Sequence, residues 1–336
     1  MKGFGEKKKT LHQKNISNNK KTIKDQIINK AFTLHSQGNI SEAKKCYENF
    51  INQGFTDCRV FSNYGLILQN IGKLQEAELS FRKAIELNPN FVEAHYNIGI
   101  ILKDLGKLQE AELSYRKAIE LNPNFINAYS NLGILLKDLG KLQEAESLTR
   151  KAIELNPNFT DAYSNLGNIL KVQGKLKEAE ISYRNAIQLN PNFSNAYYNL
   201  ANTLRGQGNL KEAEISYRKV TQLNPNFTKA HLNLGNILRN LGKFKEAEFS
   251  YRKATQLNPN FIEAHLNLGN ILQNLGKLKE AEISYYKAIK LNPNFAEAHL
   301  NLGNIFLELE DIQKAEAYTL KAIKLNPNFA EAHLNL

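Results

Sequence analysis

The residues of this chain whose spacing is best suited to chemistry are amides. Asparagine recurs every 34 residues at Asn63, Asn97, Asn131, Asn165, Asn199, Asn233, Asn267, Asn301 and Asn335. Three residues further on, Leu66, Ile100 and Ile134 give way to a second series, Asn168, Asn202, Asn236, Asn270 and Asn304. A carboxamide carries a donor and an acceptor, so it can pair with the N–H and C=O of an extended peptide without reading its side chains. Copies stacked roughly 10 Å apart would meet a chain that advances about 3.4 Å per residue at every third residue or so. The competing reading is that Asn is a soluble filler copied along with its repeat. Asn is a mediocre helix former, yet the series persists where neighbouring positions have diverged, as in Asn63 beside Tyr64. Basic residues one turn beyond, Lys103, Lys137, Lys171, Arg205 and Arg239, would add a preference for acidic segments.

Other reactive residue types converge on nothing. His231, His265, His299 and His333 form a column, but whole repeats separate them, whereas metal ligands must meet within a few ångströms. Gly99 to Lys107 has the wrong spacing for a phosphate loop and no following Ser or Thr. Cys46 and Cys58 sit in no CxxC pair and read as reduced packing thiols. Asn158, Asn192 and Asn226 match glycosylation acceptors, in a chain whose N-terminus lacks the apolar stretch of a secretion signal. The sequence therefore predicts no catalytic constellation, no metal site and no cofactor.

The elements that must position the asparagines are marked by proline and glycine. The eight prolines, from Pro89 to Pro327, are each 34 residues apart. Fifteen of the 19 glycines fall at two further fixed phases. In the unit Val92 to Phe125, apolar residues at helical spacing predict one helix ending before Gly106 and a second from about Leu108 to Leu121. Glycine can take the left-handed conformation that closes the first helix, and Asn122-Pro123 stops the second because proline offers no amide hydrogen. Gly99 and Ala111 are small where the helices must cross, beside Tyr115 and Leu102.

Numbered 1 to 34 from Val92, the unit has Gly99 at position 8, Ala111 at 20, Tyr115 at 24, Ala118 at 27 and Pro123 at 32. This pattern resembles the tetratricopeptide repeat (TPR) family. The family's usual Trp at position 4 is replaced by Phe61, His95, Tyr129, Tyr163, Tyr197, His231, His265 and His299, and Glu310 stands where a turn glycine belongs. The resemblance implies an all-α fold, a right-handed superhelical solenoid of antiparallel helix pairs with the first helices lining a concave groove. The asparagine ladder further resembles the superhelical TPR region of O-linked N-acetylglucosamine transferases, which implies peptide-binding roles for Asn97, Asn131, Asn165, Asn168, Asn199, Asn202, Asn233, Asn236, Asn267, Asn270, Asn301 and Asn304.

Along the chain, residues 1–23 read as a disordered basic tail, 24–57 as a degenerate N-terminal capping repeat, 58–329 as eight full units and 330–336 as the truncated start of a ninth. The expectation is a fragment of a longer protein, with exposed end helices open to end-to-end self-association. The net charge of +11 includes +6 from the tail's seven Lys and one Glu, and the remaining +5 over 313 residues makes nucleic acid an unlikely partner. No run approaches about 18 apolar residues, so no membrane span is expected, and the predicted location is the cytoplasm. The position 5 and 6 residues lack the Lys and Arg of a carboxylate clamp. The expected function is a non-enzymatic protein-interaction scaffold that holds extended peptide in an asparagine-lined groove. The alternative is the substrate-recruiting part of a larger group-transfer enzyme, such as a glycosyltransferase, whose catalytic domain lies elsewhere.

Overall fold

The computed structural model describes residues 21–335, and all their regular structure is helical. The basic tail expected at 1–23 lies outside the described residues up to 20. Residues 21–23 are already helical and belong to α1 (21–36), a correction to the expected boundary. No Gly or Pro interrupts 21–36, and burial of Ile28 and Ala31 anchors the helix. It pairs with α2 (Ile40–Asn52). Further pairs follow as α3 (Cys58–Asn70) with α4 (Leu74–Leu87), α5 (Val92–Asp104) with α6 (Leu108–Leu121), and α7 (Ile126–Asp138) with α8 (Leu142–Leu155). Then come α9 (Thr160–Val172), α10 (Leu176–Leu189), α11 (Ser194–Gly206) with α12 (Leu210–Leu223), and α13 (Thr228–Asn240) with α14 (Phe244–Leu257). The last are α15 (Ile262–Asn274) with α16 (Leu278–Leu291), α17 (Ala296–Glu308) with α18 (Ile312–Leu325), and the short α19 (Ala330–Leu334). The chain forms two compact units, one ending at Asn165 and the other beginning at Leu166. Within each, helix pairs stack on their sequence neighbours.

Local chemistry accounts for the hairpin. Gly106 sits at φ +76, the left-handed region that closes α5. The Lys107 amide donates back to Leu102 O at 2.8 Å, satisfying a carbonyl at the helix end. At the other turn Asn122 leaves the helix in an extended conformation, and its Oδ1 accepts from the Asn124 amide at 3.0 Å. The same Asx turn recurs at Asn156 with Asn158, Asn190 with Asn192 and Asn224 with Asn226. Glu310 is the one described non-glycine residue at positive φ, +61, where the other hairpins place glycine.

The interior of each pair is close-packed. A Cβ on Gly235 would come within 2.6 Å of the fully buried Tyr251 ring, so the tyrosine lies directly on the glycine backbone. In α11 the equivalent residue is Ala201, also fully buried beside Tyr217.

On the second helices an ion network links repeats. Glu248 is nearly buried, at 9% exposure; it accepts from Arg252 and from Lys277 of the next repeat, both at 2.8 Å. Arg252 also reaches Glu280 of the next repeat at 2.6 Å. The set recurs with Glu78, Arg82, Lys107 and Glu110, with Glu112, Arg116, Lys141 and Glu144, and with Glu214, Arg218, Lys243 and Glu246. Burial pushes the Glu248 carboxyl up, but hydrogen bonds from Lys277 and Arg252 outweigh it and hold it below the usual carboxylate range. The network ends at α16, where Tyr286 replaces the arginine and Asp311 the lysine. There the Tyr318 hydroxyl meets Tyr286 Oη at 3.2 Å instead.

Candidate peptide-binding face

Helical periodicity places positions 6 and 9 on one face of each first helix, one turn apart. Of the twelve candidate asparagines, Asn267 is buried and the other eleven are half-buried. Their carboxamides are partly committed to holding the repeats together. The Asn131 amide donates to the Tyr96 hydroxyl at 3.0 Å, Asn165 to Ser130 Oγ at 3.1 Å and Asn233 to the Tyr198 hydroxyl at 3.2 Å, each in the preceding repeat. Asn267 and Asn301 follow Leu232 and Leu266 at position 5, which offer no hydroxyl, and donate instead to the position 9 amides, Asn236 at 3.1 Å and Asn270 at 2.9 Å. Asn199 does the same to Asn168 at 3.1 Å, and Asn335 to Asn304 at 2.7 Å. From Asn131 onward the position 6 asparagine is thus an inter-repeat rung whose acceptor is a position 5 hydroxyl or a position 9 carboxamide, while Asn63 reaches the Tyr47 hydroxyl.

The position 9 carboxamides have a second donor. The tyrosine hydroxyls of position 24 donate to Asn168, Asn202, Asn236 and Asn270 at 2.7 to 2.8 Å. Where position 9 is apolar, position 24 is Phe81 beside Leu66 or Thr149 beside Ile134, and Thr149 bonds its own helix through Ala145 O at 2.8 Å. Two repeats break the rule: Tyr115 lies beside Ile100 and its buried hydroxyl has no partner, and Thr319 lies beside Asn304 but bonds Ala315 O of its own helix. Burial pushes the Tyr251 hydroxyl up to about 12, so it remains a donor at neutral pH. These tyrosine partners escape a reading of the asparagines alone. The signal for them is the matched appearance of Tyr at position 24 and Asn at position 9.

What remains unspent on the amides defines what the face can bind. Asn236 accepts two bonds through Oδ1, which leaves both hydrogens of its NH2. Asn267 has spent one hydrogen, which leaves its carbonyl oxygen. Each such pair offers a donor and an acceptor, the complement of one peptide unit. Lys171 stands on the same face with Arg205 near it. Burial and that neighbouring guanidinium both push its ammonium down, the mark of cations held close together.

The histidine column has a separate explanation. His231 and His265 donate Nε2–H to the carbonyls of Pro225 and Pro259, six residues earlier, at 2.9 Å, and His95, His299 and His333 make the same latch. Burial pushes His231 and His265 down, against the proline carbonyl bond. No group of three His, Cys, Asp or Glu able to hold a metal ion occurs among the described residues. No described helix is long and apolar enough to cross a membrane. Cys46 and Cys58 are free, half-buried thiols.

A family model described as tetratricopeptide repeat matches residues 92–125, 126–159, 160–193, 194–227, 262–295 and 296–329. Two further models of the repeat match 65–106 with 235–276, and 216–249. Among curated proteins, none matches this sequence. Among solved structures, the chain is similar to YrrB, described as a TPR protein with an unusual peptide-binding site. The two are 29% identical with a TM-score of 0.53 over 55% of this chain and 96% of YrrB. It is also similar in fold to pilF of Pseudomonas aeruginosa, at 24% identity and a TM-score of 0.53 over 62% of this chain and 95% of that one.

Proposed function

Because the chain belongs to the tetratricopeptide repeat family, we propose that it is a protein-interaction scaffold whose first helices hold an extended peptide by its backbone. The observation that carries this reading is the unspent half of each asparagine pair. After the inter-repeat bonds are made, a donor and an acceptor are left side by side in the pairs Asn168 with Asn199, Asn236 with Asn267 and Asn270 with Asn301, all half-buried except the buried Asn267. The likeness to YrrB, a TPR protein described as peptide-binding, agrees with it.

Magnitudes make the affinity modest. Each backbone bond contributes about 0.5 to 1.5 kcal/mol net, and ordering the peptide offsets much of the sum. A handful of rungs thus supports binding around the micromolar range. Lys171 and Arg205 bias the face toward acidic segments.

The test is a peptide array probed with the full chain and with the combined Asn165→Ala, Asn199→Ala and Asn233→Ala variant. The wild type is expected to bind many sequences without a side-chain consensus, and the variant to lose most of that binding while keeping its helicity. Equal retention by the two proteins overturns the groove reading.

A further inference from the structure

The second helices carry a surface that the peptide groove does not use. At position 22 the unit beginning at Leu166 places Ile181, Ile215, Phe249 and Ile283, all large, apolar and exposed, with Phe249 at 71% and Ile283 at 55%. One stands in each of four successive repeats, and grooves open between the second helices that carry Ile181 and Ile215 and between those that carry Phe249 and Ile283. Between α14 and α16 the groove is a cavity of about 860 Å³, walled by Phe249 and Ile283 and floored by Leu268, with Lys253, Lys287 and Lys290 around it. A smaller cavity of about 430 Å³ lies two repeats earlier between α10 and α12, walled by Ile187 and Ile215.

The lysines around the larger groove lack the counter-charges found elsewhere. In the first unit each position 26 lysine pairs with the position 29 glutamate of its own helix: Lys83 with Glu86 and Lys117 with Glu120 at 2.6 Å, Lys151 with Glu154 at 2.8 Å. In the second unit position 29 changes to Gln188, Gln222 and Gln256 and then to Lys290 and Lys324. Lys253 accordingly meets only the neutral Gln256 at 3.3 Å, and Lys287 shares its turn with Lys290. Arg252 at the rim is already neutralised by Glu248 and Glu280. The groove therefore pairs an apolar lining with uncompensated positive charge.

We propose that this second-helix groove of the C-terminal unit docks an acidic amphipathic segment of a partner protein, with a bulky apolar residue between Phe249 and Ile283 and flanking carboxylates on Lys253, Lys287 and Lys290. The apolar contact supplies affinity by burying side chains that now stand in water. The lysines supply orientation and rate of encounter. A basic segment is rejected by the same charges, and a neutral apolar one loses the flanking contacts.

The test uses the full chain and two fluorescein-labelled amphipathic peptides, one of Leu with Glu and one of Leu with Lys, read by fluorescence anisotropy. The Leu–Glu peptide is expected to bind, and its affinity to fall about tenfold or more in Phe249→Asp/Ile283→Asp and in Lys253→Glu/Lys287→Glu/Lys290→Glu. The Leu–Lys peptide is expected to bind only the charge-reversed variant. The combined Asn165→Ala, Asn199→Ala and Asn233→Ala variant is expected to bind the Leu–Glu peptide as the wild type does, which separates this face from the peptide groove. Unchanged far-UV circular dichroism verifies that the variants fold. Failure of the Leu–Glu peptide to bind, equal affinity for both peptides, or wild-type affinity in both groove variants overturns the proposal. So does a wild-type dimer that Phe249→Asp/Ile283→Asp converts to monomer, or binding of phosphatidylserine vesicles or poly(U) in preference to the Leu–Glu peptide.

Discussion

The two units of this chain repeat one hairpin and complete it with different polar partners. In the unit ending at Asn165, position 9 is aliphatic at Leu66, Ile100 and Ile134, the rungs from Asn131 and Asn165 end on hydroxyls, and the second-helix lysines are paired with glutamates. In the unit beginning at Leu166, position 9 is asparagine, tyrosine and asparagine converge on one carbonyl, and the glutamates have become glutamine or lysine. The buried Ala, Gly and aromatic positions scarcely change between the two. The contrast shows which positions the fold constrains and which are open to specialise. Packing fixes the interior of the pair, while the faces are adjustable so long as each new polar group brings its partner.

The ion network gives the largest expected effect. Glu248→Gln leaves Lys277 and Arg252 without their shared negative charge and puts an NH2 where one acceptor oxygen stood, and should cost about 2 kcal/mol in urea unfolding. Glu282→Gln, at the same position in a repeat with Tyr286 and Asp311 in place of the two cations, should cost no more than about 0.5 kcal/mol. Similar losses for the two would remove the network from the account of stability.

The tyrosines probe the difference between the units directly. Tyr251→Phe deletes a hydrogen bond to Asn236 and should destabilise by about 1 kcal/mol. Tyr115→Phe removes a buried hydroxyl that has no partner, and should be neutral or stabilising. Supplying the missing amide sharpens the test. Ile100→Asn should cost about 1 kcal/mol less with Tyr115 present than with Tyr115→Phe, a coupling that a double-mutant cycle measures. No coupling would mean that position 9 and position 24 vary independently.

Within the second unit, Glu310 is the outlier among the turns. Glu310→Gly should raise stability by about 1 kcal/mol by relieving a left-handed non-glycine backbone. The matching change Gly276→Ala, at φ +71, should lower it by a similar amount, roughly 1 kcal/mol. Thermal unfolding of the pair checks both signs.

The smallest effect is the response to acid. His231 and His265 are held neutral by burial, with Lys253 and Lys287 opposing their protonation further. Their folded pKa values lie below the unfolded value of about 6.5, so the unfolded chain binds protons first and stability declines as pH falls through that range. The carboxyls of Glu214 and Glu248 have folded values below their ordinary one, and their contribution is lost only at lower pH. His231→Tyr with His265→Tyr, the residue found at Tyr129 and Tyr163, should flatten the stability profile between about pH 7 and 5 and leave the acid limb intact. A profile unchanged by the double substitution would sever the histidines from the pH response.

Most of the hairpin was legible in the sequence because its signals act locally. Gly106 and Asn122-Pro123 bound the same two helices in the structure that their backbone chemistry predicts. The position of α1 was less legible, since the cap pattern of Thr22 with Asp25 points to a start at about 23 and the helix already includes Lys21. The candidate asparagines were recognisable as a series, but their commitment to neighbours was not. Asn267 spends a hydrogen on Asn236, Asn199 spends one on Asn168 although Ser164 offers a hydroxyl, and Asn233 spends one on Tyr198, a choice between separate repeats that helical periodicity within one repeat does not express. The latch from His265 to Pro259 escaped for a similar reason, because the carbonyl it uses belongs to a turn six residues away.

The rung from position 6 has a consequence for how such an array grows. Because the amide accepts either a hydroxyl or another amide as its counterpart, two adjoining copies need not be matched letter for letter. A genetic duplication or deletion of 34 codons joins a donor to a new predecessor, and either Tyr198 or Asn236 is an adequate predecessor. The joint behaves like a coupling of loose tolerance between railway cars. Length in this chain is free to change by whole units, and the surfaces carried by each unit travel with it.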